Sequence, residues 1–304
     1  MMSTLFRKSL LAVTERSGVR AAFTRFPVGR AVARRFVAGE TLADAVAVAR
    51  RLNERGFMVS LDHLGENVND AESAKSAKED YLEILERISA EGLAANISIK
   101  LTQLGMALDA EQTRAALHEL AAKATEVGTT VTVDMEESEW TGTTIDLYES
   151  VQRVHGNLGI AVQAYLHRTE GDLQRLTPLG GHIRLCKGAY AEPQEIAFQS
   201  KGEVDGSFER LLEMLMAAER TRPAIATHDE RLIERTYELA ASRREPFEFQ
   251  MLYGIREKLQ QEIVVRGYPL RIYLPYGSHW YPYLTRRLAE RPANLLFFAR
   301  ALVG

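Results

Sequence analysis

A single cysteine, Cys186, in 304 residues excludes an internal disulfide framework and any metal centre built from several thiolates. Long apolar runs are also missing. No stretch approaches the roughly 20 residues a membrane-spanning helix needs, and the N-terminus lacks the uninterrupted apolar core of a secretory signal. The formal net charge is -3, which argues against a nucleic-acid binder, since such proteins need clustered positive charge. Neither GxGxxG nor GxxxxGK[ST] occurs, so a Rossmann dinucleotide site and nucleotide hydrolysis have no support. The seven histidines (63, 118, 155, 167, 182, 228 and 279) show no HExxH or other close ligand spacing, and no metal is expected; convergence of Asp62, Asp134 and His228 is the one arrangement that would change this. No internal repeat, low-complexity segment or Pro/Gly-rich linker divides the chain.

What is present points to small-molecule chemistry. With 46% hydrophobic and 26% charged residues the chain can bury a large core, and its length suits one large α/β domain or two small ones. The charge is unevenly spread: between Met1 and Gly39, Arg7, Lys8, Arg16, Arg20, Arg25, Arg30, Arg34 and Arg35 face the single acid Glu15. Residues 1–40 therefore read as a basic helical arm, and 41–304 as one catalytic domain. Leucine, valine and phenylalanine between the arginines suit short amphipathic helices, able to lie on an anionic membrane surface or to pack on the protein's own body. The expected location is cytoplasmic, although an organellar transit peptide has the same composition.

Beyond residue 40, short apolar runs alternate with longer amphipathic ones, the pattern of a parallel sheet covered by helices. Strands are predicted at 57–62, 96–101, 130–135, 159–164, 182–186, 223–227, 247–250 and 270–274. Eight β/α units over about 250 residues fit a closed barrel, and an open doubly wound sheet fits the strand count equally well. The polar residues favour the barrel. Asp62, Lys100, Asp134, Gln163, Arg184 followed by Lys187, Thr227 with His228, Gln250 and Tyr273 fall at predicted strand ends, and only a closed barrel gathers all of these at one mouth. A final helix, about 278–291, follows the eighth strand through Pro275 and Gly277, a turn able to lay it near that mouth.

That helix carries Arg286 and Arg287 side by side. Neighbouring arginines on a helix surface ordinarily serve solubility. With Lys100, Arg184 and Lys187 converging, opposed by Asp62, Glu66 and Asp134, they would instead form a positively charged pocket for an anionic substrate and an anionic or electron-accepting cofactor. Lys100 would equally suit a Schiff-base aldolase, and a non-catalytic anion-binding barrel is a third reading.

The ordered strings ISIKLTQLG, VTVDMEES, GIAVQAYLHRT, IRLCKGAY, ATHDERLI and YLPYGSHWYPYLTRRLAER resemble those of the proline dehydrogenase family, with SLDHLGE a looser match. The resemblance runs from about Phe57 onward and is closest to the small monofunctional bacterial enzymes, similar also to the dehydrogenase domain of proline utilization A. It implies a distorted (βα)8 TIM-like barrel with the last barrel helix over the mouth, FAD as cofactor, and oxidation of L-proline to Δ1-pyrroline-5-carboxylate by hydride transfer from C5 to flavin N5. It further implies electrons passed to a membrane quinone, which would give the arm a peripheral site on the inner face of the cell membrane, and product handed to a separate pyrroline-5-carboxylate dehydrogenase.

Residue by residue, the resemblance implies that Arg286, Arg287 and Lys100 bind the proline carboxylate and that Tyr273 and Tyr283 shape the pocket. Asp134 and Arg184 would line the reactive edge of the flavin, Asp134 as proton acceptor or electrostatic tuner. FAD would be held by Met135 through its backbone, by Gln163, by Lys187, Gly188 and Ala189, and by Thr227 with His228. Glu66 would pair with Arg287 as a gate. Trp280 and Tyr281 read as core aromatics.

Overall fold

The strands of this chain alternate. In ANISI, VTV, HIRLC and LRIYLPY every second residue is apolar, a period of two that places one set of side chains on each face of a sheet. The computed structural model describes the backbone of residues 34–290 and the side chains of residues 34–285. It shows a closed barrel of eight parallel strands in sequential order: β1 Met58–His63, β2 Ala95–Ile99, β3 Val131–Val133, β4 Leu158–Gln163, β5 His182–Cys186, β6 Arg222–Ala226, β7 Glu248–Leu252 and β8 Leu270–Tyr276. Closure is made by β8 on β1, in the register Ser60 to Tyr273 and Asp62 to Pro275.

A helix covers each crossover. In chain order these are α1 Leu42–Glu54, α2 Ala71–Ala90, α3 Ala110–Glu126, α4 Ser138–His155, α5 Thr169–Leu176, α6 Lys201–Ala217, α7 Glu230–Ala240, α8 Glu257–Val265 and α9 Trp280–Glu290. Local chemistry sets their starts. Thr41 and Ser200 open α1 and α6 with reciprocal capping boxes to Asp44 and Glu203, while Asp70, Asp109 and Asp229 cap α2, α3 and α7 by accepting first-turn N–H groups. Each such cap contributes about 1 kcal/mol.

The two faces of the barrel differ sharply. Val59, Leu61, Ile97, Ile99, Val131, Val133, Ile183, Leu185, Phe249, Ile272 and Leu274 point outward, are fully buried under the helices, and belong to one continuous apolar cluster. At about 1.5–3 kcal/mol for each such side chain, this outer shell is the main source of stability. The alternate residues face the lumen, and many are polar: Ser60, Asp62, Asn96, Ser98, Thr132, His182, Arg184, Glu248 and Gln250 are all buried. Ordinary barrels fill this space with branched apolar side chains. Here hydrogen bonds fill it, as between Ser60 and Ser98 (3.2 Å) and between Thr132 and His182 (2.6 Å).

The strand expectations fall within one residue of the observed spans except at the C-terminal ends of β2, β3, β7 and β8, where they differ by two. One assumption behind them needs correction. Arg184, Gln250 and Tyr273 are not strand ends but mid-strand residues of β5, β7 and β8; they are polar because the lumen is.

Most of the basic arm lies outside the described residues. Its last part packs on the body: Phe36 and Val37 are buried with Leu64, Trp280, Tyr281, Tyr283 and Leu284. Backbone bonds run from Ala38 N to Pro275 O (2.9 Å) and from Gly277 N to Gly39 O (3.0 Å). Trp280 and Tyr281 are thus the core aromatics the sequence suggests. Gly277 adopts φ +123°, a conformation that suits glycine at the turn into α9. No helix among the described residues is long and apolar enough to cross a membrane.

Candidate active site

At the C-terminal ends of the strands a cavity of about 840 Å³ opens. Of the residues singled out in the sequence, Lys100, Asp134, Met135, Gln163, Arg184, Lys187, Gly188, Ala189, Thr227, His228, Tyr273 and Tyr283 all line it. The side chains of Arg286 and Arg287 lie outside the described residues, although their backbone belongs to α9, the helix that brings Tyr283 to the cavity. The proposed gate pair with Glu66 therefore has only one described member. Glu66 is half-buried in the β1–α2 loop and near enough to Lys100 for its charge to favour the ammonium.

The strand order places one group of residues on the β1–β3 and β8 side. Lys100 donates to Asp62 Oδ1 at 2.9 Å and lies 3.9 Å from Asp134 Oδ2. Burial pulls the Lys100 ammonium towards neutrality, but the carboxylates of Asp62 and Asp134 more than offset this and hold its pKa above the ordinary lysine value. Arg184 reaches up from mid-strand and makes three bonds: to Asp134 Oδ1, to Gln250 Oε1 (2.5 Å) and to Ser98 Oγ (2.9 Å). Tyr273 donates its hydroxyl to Asp134 Oδ2 at 2.7 Å, and its ring lies 5.1 Å from the Arg184 guanidinium carbon. Burial, and then the neighbouring carboxylates of Asp134 and Asp62, push the Tyr273 phenol well up, so it stays protonated as a donor. One carboxylate thus ties an arginine, a tyrosine and a lysine into a single constellation.

Two residues beyond Asp134, in the loop after β3, sits Glu136, missed by the sequence reading. Its carboxylate accepts from the backbone N–H of Thr102 at 3.1 Å and from the Thr102 hydroxyl, stitching the β2 and β3 loops together, while its backbone carbonyl accepts from Gln163 Nε2 at 2.9 Å. Burial pushes it up to about 7, against the opposing pull of the Thr102 bonds and Lys100. A glutamate beside a predicted catalytic aspartate, in VTVDMEES, was the only available signal.

On the β5–β7 side the charges are of another kind. Lys187 donates to Asp205 at 2.6 Å and to Asp229 at 3.0 Å. Asp229 at the same time caps α7, so one helix start also fixes a cation at the rim. Lys201, Arg231 and Arg256 line the same side, and none was singled out in the sequence. His228 Nε2 accepts from Leu252 N–H at 3.2 Å, and its carbonyl accepts from Arg256 at 2.8 Å, joining the β6 and β7 loops. Gly188 is required twice over: its φ is +110°, and a Cβ there would come within 2.2 Å of the Tyr165 ring. The resemblance implies that Gly188 contacts the cofactor; Tyr165 adds a steric reason for glycine that is independent of any ligand.

A sequence model of the family described as proline dehydrogenase matches residues 45–300. The chain belongs to the proline dehydrogenase family. It is 37% identical over 272 residues to proline dehydrogenase 2 of Bacillus subtilis strain 168, covering 88% of this chain and 89% of that one. It is 35% identical over 312 residues to proline dehydrogenase of Deinococcus radiodurans, covering 100% and 99%. The bifunctional protein PutA of Escherichia coli K12 is 30% identical over 322 residues, which cover 89% of this chain but 24% of PutA. Among solved structures, proline utilization A from Bdellovibrio bacteriovorus, inactivated by N-propargylglycine, superposes with a TM-score of 0.81 at 24% identity, covering 86% of this chain and 33% of that one. This last likeness concerns the fold, and the chain spans about a third of the larger protein.

Proposed function

We propose that the protein is an FAD-dependent proline dehydrogenase that oxidises L-proline to Δ1-pyrroline-5-carboxylate and passes the electrons to a membrane quinone. The observation that carries the reading is the Lys100, Asp134, Arg184 and Tyr273 constellation at the mouth of a barrel from this family. The residues present fit the cofactor. The cavity has room for an extended ligand, its β5–β7 rim carries Lys187, Arg231 and Arg256 for a phosphate-bearing portion, and its β1–β3 side carries donors suited to a polar ring edge. Bound FAD would supply the hydride acceptor.

The protein's own groups do the rest. Lys100, held charged, offers a fixed cation for the substrate carboxylate, joined by Arg286 and Arg287 from α9; clamping the acid group fixes the ring for reaction. Of the five N–H groups of Arg184, three are committed to Asp134, Gln250 and Ser98, which orients the guanidinium and leaves the others for the mouth. Asp134 anchors Arg184 and Tyr273 and balances the positive charge of Arg184 and Lys100. Glu66 and Arg287 act as the gate, residues 1–40 provide peripheral membrane contact, and the product passes to a separate pyrroline-5-carboxylate dehydrogenase.

The same geometry weighs against a Schiff-base aldolase, because attack on a carbonyl needs a neutral amine and two carboxylates keep Lys100 protonated. Purified protein is expected to be yellow, with flavin bands bleached by anaerobic L-proline and restored by a quinone analogue. A colourless protein that borohydride inactivates in the presence of an aldehyde or ketone would overturn the proposal.

A further inference from the structure

Below the mouth, a chain of hydrogen bonds descends from Arg184 through the lumen to the barrel floor, and its lower members, Glu248 and Arg271, serve none of the roles assigned above. Glu248, at the first position of β7, is 6% exposed and forms a buried ion pair with Arg271 of β8 through Nε (2.7 Å) and Nη2 (3.1 Å). The same Oε1 accepts from Gln250 Nε2 at 2.6 Å. Gln250 in turn presents Oε1 to Arg184 Nε. Glu248 does not line the cavity.

We propose that Glu248 is a positioning residue: acting through Gln250, it determines how Arg184 faces the mouth and thereby tunes the acceptor bound there. The reasoning begins with what each group can do. An ionised carboxylate only accepts, so the Gln250 amide must turn its NH2 towards Glu248. Its oxygen is then forced towards Arg184. A flipped amide would set oxygen against oxygen below and N–H against N–H above, two mispairings in a buried space where each unmade bond is costly. Burial alone would push the Glu248 carboxyl up, but Arg271 and the bonds it receives bring it below the ordinary value, so the acceptor-only state persists at working pH.

Arg184 is thus held at three points around its plane, by Gln250 at Nε, Asp134 at Nη1 and Ser98 at Nη2. Asp134 and Ser98 alone leave the guanidinium free to tip about the line joining them. The Nε bond removes that freedom, and Glu248 makes the Nε bond obligatory.

The tuning rests on the proposed flavin chemistry, whereas the positioning does not, and the experiment separates the two. The Glu248→Gln/Arg271→Gln pair replaces the ion pair by neutral amides, so the contact below no longer dictates the orientation of Gln250; Gln250→Met breaks the relay while keeping the ion pair. Each is combined with Arg184→Lys, and two quantities are read. In the reconstituted protein, either relay variant should lower kcat about tenfold while leaving the proline KM within about twofold. Dye equilibration should shift the bound flavin about tenfold towards the oxidised form, about 30 mV for a two-electron couple, and this shift should vanish in the Arg184→Lys background. In denaturant unfolding of the protein without added flavin, the relay change and Arg184→Lys should be non-additive by at least about fivefold in the unfolding constant. Additive unfolding effects for Gln250→Met overturn the relay, as does a flavin shift that persists with Arg184→Lys. Coupling on unfolding in a protein that binds no flavin would sustain the positioning and refute the proposed function instead.

Discussion

Removing the Lys100 ammonium should destabilise the barrel far more than its loss of contacts alone would imply. In Lys100→Met, Asp62 and Asp134 are left without the cation that lies 2.9 and 3.9 Å from them, in side chains only 1% and 12% exposed. Opposite charges about 4 Å apart at an effective dielectric of about 20 attract by about 4 kcal/mol, and breaking a buried pair from one side typically costs about 3–5 kcal/mol. For a domain of this size that is on the order of 10 °C in Tm. The double variant Lys100→Met/Asp62→Asn removes the orphaned charge and should return to within about 1 kcal/mol of the parent. If Lys100 also meets the substrate carboxylate, the double variant should recover stability without recovering its proline KM. Urea unfolding and steady-state kinetics of the three variants decide this. A loss below about 1 kcal/mol in Lys100→Met, or a double variant no more stable than the single, would refute the assignment of Lys100 to a buried, charge-balanced site.

Other outcomes follow from the same geometry. Gly159→Ala places a Cβ within 2.2 Å of three His182 ring atoms, and because that ring is buried and bonded to Thr132 it should cost about 1–3 kcal/mol on unfolding; a neutral effect would show that the lumen can yield. Glu136 has its carboxyl raised from 4.5 to about 7, so the folded form keeps a proton that the unfolded chain gives up. Its contribution to stability is full below pH 4.5, declines as pH rises, and is gone above about 7, a change on the order of 3 kcal/mol. Glu136→Gln should therefore gain on the parent across that window in urea midpoints, and parallel curves would contradict the burial argument. Arg286→Met or Arg287→Met should raise the proline KM at least about tenfold, since a lost charged contact costs about 1.5–3 kcal/mol; an unchanged KM would return the pair to the solvated surface.

Most of the barrel is legible because its signals are local. The predicted strand 182–186 coincides with β5, and Asp70, Asp109 and Asp229 mark helix starts that capping fixes within a few residues. What escapes is pairing across the fold. Lys187 is prominent in IRLCKGAY, yet nothing local ties it to Asp205 in α6 and Asp229 at the start of α7. Likewise Glu248 and Arg271 meet only because β7 and β8 are neighbours in a closed sheet. Most site residues stand out as polar groups near strand ends, although Arg184 and Tyr273 are in fact mid-strand; their roles, and the choice of Met135, Gly188, Ala189 and Tyr283, come from the ordered motifs of the family. The role of Phe36 and Val37 was hidden for a similar reason: within a basic arm they look like the apolar face of a surface helix, whereas their partners are the aromatics of α9, over 240 residues away.

The polar lumen changes what it would mean to recut this pocket. In a barrel filled by leucine and valine, trimming a side chain leaves a void that its neighbours can partly close. Here Asp62, Asp134 and Glu248 are matched by Lys100, Arg184 and Arg271 through bonds that share atoms, so an exchange at one position leaves a charge behind at another. Alternative substrates would be reached by replacing partners together, as units of zero net charge. The apolar residues on the outer face of the same strands can meanwhile be repacked independently, because they touch helices and not the site.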